Sequence, residues 1–323
     1  MTILKAASAR GKIEVDFENG RVIRCFHILP GHAVRECNYN YSERFVRDFY
    51  DKHGEDSLIE DIERNSFVYF RTNYMIERFI KSTCHEPMSI LDYGCGSGIS
   101  TWAIRQFFPN SQIDAADIFE PHLKTLENRF RDECSENVKI IDLNKEKLAR
   151  KYDIINLNAV FEHLTAHERK VTMEELWNCL KEGGFLVITE TPWRWFPIET
   201  HTTSLPLLNF MPDALALFAY RFKKRKIFRN SRDLTWLQAQ RSGIRGATLR
   251  EIVQCTGAKA GAVNIVQSPY KDATDLLDTW WSGEYRPSRI KRTTYNILCA
   301  IRSITGFVIP PWINVVYRKA RAF

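Results

Sequence analysis

The stretch Ser89-Ile90-Leu91-Asp92-Tyr93-Gly94-Cys95-Gly96-Ser97-Gly98 decides the fold. An apolar run ends in an acid, and three glycines follow at alternate positions. A short apolar run bounded by turn residues reads as a buried strand. Glycine lets the turn take dihedrals closed to other residues and lets a ligand approach the backbone. Residues 101–108 then carry a helical pattern that stops at Pro109-Asn110. The start of such a helix offers free N–H groups to a ligand.

The same rhythm continues outward. Residues 112–117, 138–142, 152–157 and 185–190 read as further strands. Residues 121–134 and 166–180 read as the helices between them, the second closed by Lys181-Glu182-Gly183-Gly184. Strands alternating with helices predict a parallel sheet in an α/β fold. Ligands of such sheets sit beyond the C-terminal strand ends. Residues 191–247 break the rhythm. It returns at residues 248–255, where Thr248 and Glu251 stand at capping-box spacing. Residues 261–267 and 312–318 read as strands, 273–281 and 295–304 as helices. Upstream, Asn19-Gly20 between two β-rich runs marks a hairpin over residues 12–26. Residues 42–52 and 57–82 carry helix-period apolar positions. Packing on the core is the first reading of these helices, and covering an active site is the other.

Composition sets the outer bounds. The chain has 323 residues, 44% hydrophobic and 26% charged, which excludes wholesale disorder and collagen-like or low-complexity architecture. Lys and Arg number 46 against 39 Asp and Glu, a formal charge of +7. Such a mild excess does not identify a nucleic-acid binder. The eight cysteines form no C-x-x-C pair, so neither a zinc ribbon nor a thioredoxin-type motif is present. Scattered cysteines suit a reducing compartment, so a cytoplasmic location is expected. No apolar secretory region and no 18-residue apolar window is seen. A basic cluster of Arg221, Lys223, Lys224, Arg225, Lys226, Arg229 and Arg232 follows the apolar residues 205–220. It reads either as a contact with an anionic membrane surface or as a solvated helix face. No nucleic-acid motif accompanies it, so no nucleic-acid partner is expected.

The glycine pattern separates two nucleotide-binding chemistries. A nicotinamide fingerprint needs G-x-G-x-x-G, whereas this turn reads G-x-G-x-G after an acid. Asp117 ends the second strand, where an acid either grips a ribose or is simply solvated. Asp142 ends the third strand, and Glu162-His163-Leu164 follows the fourth. Together with the L-K-x-G-G run at Leu180, these features resemble the class I S-adenosylmethionine-dependent methyltransferases. The likeness is to the branch of quinone-type and other small-molecule O-methyltransferases, and it covers residues 90–191, with a weaker echo in 248–267 and 312–319.

That resemblance implies a doubly wound, mostly parallel seven-stranded sheet of Rossmann-like type with its last strand antiparallel. It implies S-adenosylmethionine as cofactor. Gly94 and Gly96 would line its methionine half, with Gly98 in the same turn, and Asp92 would hold its amino group directly or through water. Asp117 would grip the ribose with Ile118 against the adenine. Asp142 and Leu143 would meet the adenine edge, and Leu157 and Asn158 would border the cofactor below the transferred methyl.

The remaining candidates concern the acceptor. His163 is the first candidate base, with a structural role at a helix start as its rival. His201 and Glu199 lie in a loop expected to overhang the acceptor, where ordinary turn structure is the rival. Trp193, Trp195 and Phe196 would wall an apolar acceptor or simply pack. No metal site is expected. The expected division is an N-terminal hairpin and helical appendage (1–66), a cofactor-binding core (67–190), a lid insertion (191–247) and the rest of the fold (248–323). The expected activity is methyl transfer to a small-molecule acceptor, through an oxygen of a lipophilic or lipid-linked compound. A saccharide acceptor and a non-catalytic cofactor-binding module are the alternatives. A peripheral place at a membrane follows from the basic cluster, and the sequence carries no sign of oligomeric state.

Overall fold

The computed structural model describes residues 2–8, 11–28, 34–37, 39–84, 88–132, 136–224, 233–285 and 287–321. Its centre is a seven-stranded sheet. In chain order the strands are β5 (Ser89–Tyr93), β6 (Gln112–Asp117), β7 (Val138–Asp142), β8 (Tyr152–Asn158), β9 (Leu180–Pro192), β10 (Val263–Ile265) and β11 (Trp312–Lys319). Across the sheet the order is β10-β11-β9-β8-β5-β6-β7. The pairs among β5 to β9 are parallel, and β11 runs antiparallel to both β9 and β10. This is the expected doubly wound α/β fold.

The central strands are apolar because helices cover both faces. Ile90, Leu91, Ile113, Ala115, Ile155 and Leu157 have no exposed surface. The helices here are α2 (Ile99–Phe107), α3 (Glu120–Phe130), α4 (Ala166–Cys179) and α7 (Leu249–Cys255). Thr165 and Glu168 form a full capping box at the start of α4. At α7, Thr248 caps the Glu251 N–H, but the Glu251 carboxylate leaves the box to meet Arg169 at 2.6 Å.

One boundary differs from the sequence reading. Residues 181–184 do not close α4. They belong to β9, which begins at Leu180 opposite Tyr152 and bulges at Gly183 with φ +76°. A glycine pair reads equally as a helix stop or a strand bulge, and strand pairing decides.

The N-terminal part folds as a second, four-stranded antiparallel sheet of β1 (Thr2–Ser8), β2 (Gly11–Glu18), β3 (Arg21–Ile28) and β4 (Arg35–Glu36). Asn19 and Gly20 turn between β2 and β3 with φ +51° and +73°, the twist that a two-residue hairpin needs. The two expected upstream helices meet at Gly54, whose non-helical φ +79° and ψ 178° put a kink between them, and together they form α1 (Glu43–Phe79). It therefore runs through residue 66, where the appendage was expected to end.

Two buried arginines pin α1. Arg129 of α3, with no exposed surface, donates from Nη2 to Asp61 of α1 at 2.8 Å and from Nε to the Ser97 carbonyl in the glycine turn at 2.9 Å. It also lies 4.5 Å from the Tyr41 ring centre. Arg71 of α1 donates to the Gly283 carbonyl at 2.6 Å and pairs with Glu190 of β9 and Glu284. The stretch between these anchors lies across the C-terminal ends of the strands.

Removing Arg129 leaves the buried Asp61 carboxylate without its cation, held by the Tyr39 hydroxyl at 2.9 Å. Arg129→Ala should lower unfolding free energy by about 3–5 kcal/mol, read as a fall in the urea midpoint.

Candidate active site

The glycine turn is built around Asp92. This carboxylate is 1% exposed, and its oxygens accept from Ser100 (2.7 Å), Thr101 (2.6 Å) and Asn156 (2.8 Å). Burial raises its pKa, and the three donors oppose that rise. Ser100 and Thr101 stand in the first turn of α2 and Asn156 on β8, so the acid clamps three elements. It does not line the cavity above. Its oxygens are engaged within the protein, where they hold the turn in place.

Above Asp92 the turn opens into a cavity of about 400 Å³. Gly94 takes φ +70°, and a Cβ there would lie 2.5 Å from Val160. Gly96 takes φ +54°, and a Cβ there would meet nothing closer than His122 at 3.9 Å, so its backbone faces open space. Gly98, at the end of the same turn, caps α2 against Leu126 and does not line the cavity.

Asp117, at the end of β6, accepts from the Gly96 N–H at 2.8 Å through Oδ2 and from the Phe119 N–H at 2.9 Å through Oδ1. Ile118 and Phe119 beside it are 61% and 52% exposed, unusual for large apolar side chains flanking a carboxylate. The cavity brings together Gly94, Gly96, Asp117, Ile118, Leu143 and Asn158 among the predicted cofactor residues. This set fits a purine nucleoside: backbone with no side chains, a carboxylate for vicinal hydroxyls, and apolar surface for a ring. Asp142 lies outside the set. It accepts from Asn144 and pairs with Lys145 at 2.8 Å, and that lysine holds its carboxyl below the usual range. Leu157 is fully buried in the sheet core.

The other end of the cavity holds His163, in a short 3-10 turn after β8 (Phe161–His163). Its Nδ1 lies 2.8 Å from the Arg241 carbonyl. A carbonyl only accepts, so Nδ1 carries the proton and Nε2 keeps a lone pair. Desolvation lowers the His163 pKa, which favours that neutral ring. Glu162 is 1% exposed, and burial pushes its pKa up to about 8. Its Oε2 accepts from Thr191 at 3.2 Å, its Oε1 has no partner, and Oε1 lies 3.8 Å from His163 Nε2.

His201 stands behind His163, with ring centres 5.2 Å apart. One ligand atom each from Glu162, His163 and His201 lies within 4.8 Å of the others. No metal site was expected here, yet this trio is a donor set that could hold a cation. Glu199 supports it from below. Its carboxylate is 1% exposed and accepts from the backbone N–H groups of His201, Thr202 and Thr203, so it organises a turn and does not line this cavity.

The three aromatics of the insertion do not wall the cavity either. Trp193 packs beside β9, Phe196 is buried with Trp280 and Leu298, and Trp195 is 57% exposed beside Phe210. The acceptor end is lined instead by Arg64 and Val68 of α1, with Leu164 and Arg241. Arg64 and Val68 are four apart on one helix face, a spacing visible in sequence once α1 is placed over the site. Ala159, also in the wall, takes φ +55°, a conformation rare for alanine that no sequence signal announces.

Residues 91–186 match the family model described as a methyltransferase domain. Similar proteins include a malonyl-[acyl-carrier protein] O-methyltransferase of Paenibacillus sp. (strain JDR-2), 34% identical over 42% of this chain and 50% of its own length. A second protein of that name, from Ilyobacter polytropus, is 33% identical over 32% of this chain and 39% of its own. The chain thus spans half or less of these relatives. The demethylmenaquinone methyltransferase of Lactococcus lactis subsp. lactis is 24% identical over 53% of this chain and 65% of its own. Among solved structures, the plantazolicin methyltransferase BpumL in complex with SAH overlays loosely, with a TM-score of 0.41 and 15% identity over 86% of this chain and 90% of that one.

Gly94→Ala combines a left-handed backbone with a clash against Val160. It should cost about 1–3 kcal/mol, seen as a lower melting temperature.

Proposed function

We propose that this chain, whose residues 91–186 match a methyltransferase domain, is a class I S-adenosylmethionine-dependent methyltransferase that methylates an oxygen of a small acceptor bearing a negative charge on a lipophilic or lipid-linked body. One observation carries the reading. A single cavity runs from Asp117 to His163 and has Arg64 at the histidine end, beside Arg241, whose guanidinium pairs with Glu168. When bound, S-adenosylmethionine supplies an activated methyl group on a sulfonium sulfur.

This chain's residues then have distinct tasks. Asp117 accepts from the ribose hydroxyls, while Ile118, Phe119 and Leu143 flank the base. Gly94 and Gly96 admit the methionine portion. Arg64 attracts the acceptor's anionic group, and Val68 and Leu164 give it apolar surface. The names of the Paenibacillus and Ilyobacter relatives support a carboxylate as that group. Fixing the acceptor in line with the methyl supplies up to about 7–11 kcal/mol of the barrier. His163 Nε2, whose lone pair is left available when Nδ1 donates to the Arg241 carbonyl, activates the acceptor oxygen, a contribution of about 10²–10⁴ in rate.

The outer surface supports a membrane-borne acceptor. Helix α5 (Asp213–Lys224) presents Leu215, Phe218 and Phe222, 51–70% exposed, along one face. Helix α9 (Arg289–Thr305) presents Ile290, Ile297 and Ile304, with Phe307 just beyond. Residues 214–232 and 285–323 contain no acid. Apolar faces set among basic residues fit an anionic lipid surface. Arg225, Lys226, Arg229 and Arg232 of the basic cluster lie outside the described residues. Among the described residues no helix is long and apolar enough to cross a membrane.

Three experiments test this reading. Asp117→Ala should weaken S-adenosylhomocysteine binding by at least about tenfold in calorimetry. His163→Ala should keep that affinity and lose about 10²-fold or more in label transfer from S-adenosylmethionine to an organic-soluble acceptor. Label in a water-soluble saccharide, or binding with no transfer, would overturn the acceptor or the activity respectively. The full chain should sediment with phosphatidylglycerol vesicles at low salt, and Phe218→Asp with Phe222→Asp should abolish it. Absence of sedimentation by the unaltered chain refutes the membrane contact.

A further inference from the structure

The trio behind the acceptor end has the construction of an ion site. His163 donates from Nδ1 to a backbone carbonyl, that of Arg241, at 2.8 Å. An imidazole that ligates a metal is commonly fixed in this way by a hydrogen bond from its other nitrogen. Glu162 Oε1, on a side chain 1% exposed, has no hydrogen-bond partner, and 3.8 Å separates it from His163 Nε2. That gap is within the span of two ligands sharing one cation at about 2.0–2.2 Å each. The other carboxylate oxygen is held by Thr191. His201 supplies the third ligand atom, within 4.8 Å of the other two.

The surrounding loop is shaped to these side chains. A Cβ on Gly243 would lie 2.3 Å from His201 Cδ2 and 3.2 Å from Glu162 Cγ. Thr202, next to His201, donates to the Ser242 carbonyl at 2.7 Å. The Glu199 carboxylate receives the His201 N–H at 2.8 Å. Ordinary core packing explains a buried histidine, but it gives no reason for a buried carboxylate oxygen left without a donor beside two imidazoles.

We propose that Glu162, His163 and His201 bind one divalent transition-metal ion behind the acceptor end of the cavity, into which His163 reaches. Two imidazoles and one carboxylate suit Zn²⁺, Mn²⁺ or Fe²⁺ and leave coordination positions open. The inference rests on the proposed acceptor end and says how His163 acts there: through the cation, which attracts the acceptor oxygen and favours its deprotonated form. The open side would take an oxygen ligand, such as a carboxylate or hydroxyl of the acceptor.

Metal binding is measured without turnover. The purified full chain, stripped with chelator and dialysed against Zn²⁺, should retain one ion per chain by elemental analysis. Co²⁺ in its place should give the visible absorption of a nitrogen- and oxygen-ligated ion. Glu162→Gln, His163→Ala and His201→Ala should each weaken retention by at least about tenfold. S-adenosylhomocysteine affinity, measured in parallel, reports that each variant is folded and should be unchanged. Retention equal in all four proteins, or none in the unaltered chain, overturns the ion site. Loss of S-adenosylhomocysteine binding by the unaltered chain would instead sink the cofactor reading and leave the metal measurement standing.

Discussion

The buried Asp92 carboxylate is the constraint on which the cavity depends. A charge with 1% exposure persists only if donors replace the water it has lost. Here Ser100 and Thr101 reach it from α2 and Asn156 from β8. The end of β5 and the start of α2 are thereby fixed on either side of the intervening turn. Three glycines with positive φ let the backbone bridge that short gap. The Gly96 N–H then meets Asp117 on the next strand, and the carboxylate that faces the cavity is aligned by the turn it helps to bind.

A second constraint acts from the N-terminal side. Arg129 joins α3, the glycine turn and Asp61 of α1, while Arg71 joins α1 to β9 and to Glu284. Buried arginines are costly unless every partner is placed well, so this arrangement favours one position for α1 over sliding alternatives. Arg64 and Val68 lie between the two anchors and reach the cavity from above. The cover over this face of the sheet is thus the N-terminal helix. Its periodicity announced a packed helix, but periodicity alone does not tell which turn of a long helix lies over a site.

Much of the fold was legible because parallel strands buried on both faces read as continuous apolar runs, and Asn19-Gly20 and Thr248 carry local turn and cap chemistry. The site was less legible. Asp117 and Asp142 look alike in sequence, each ending a strand. Their difference is lateral: β6 lies beside β5 and its glycine turn, whereas β7 is the sheet edge, so Asp142 meets Lys145 instead. Glu199 and the tryptophans of the insertion carried plausible chemistry, but backbone N–H groups needed the first and apolar neighbours took Trp193 and Phe196. Glu162 adjoined a predicted residue and was passed over, because only the burial of its unmatched oxygen distinguishes it from a solvated acid.

The insertion is better understood as a buttress than as a roof. Its two ends are stitched together where Trp193 pairs with Ala247, Arg194 donates to the Ala247 carbonyl and Ala247 donates to that of Pro192. A long loop with closed ends can pack as a unit on the sheet. From that closed base it sends the Arg241 carbonyl to one side of His163 and the His201 ring to the other. The sheet and glycine turn therefore shape the end proposed for the cofactor, while the insertion and α1 shape the end proposed for the acceptor. Substitutions in the insertion can alter the acceptor end without passing through Asp92 or Asp117, because no hydrogen bond described here joins the insertion to either acid.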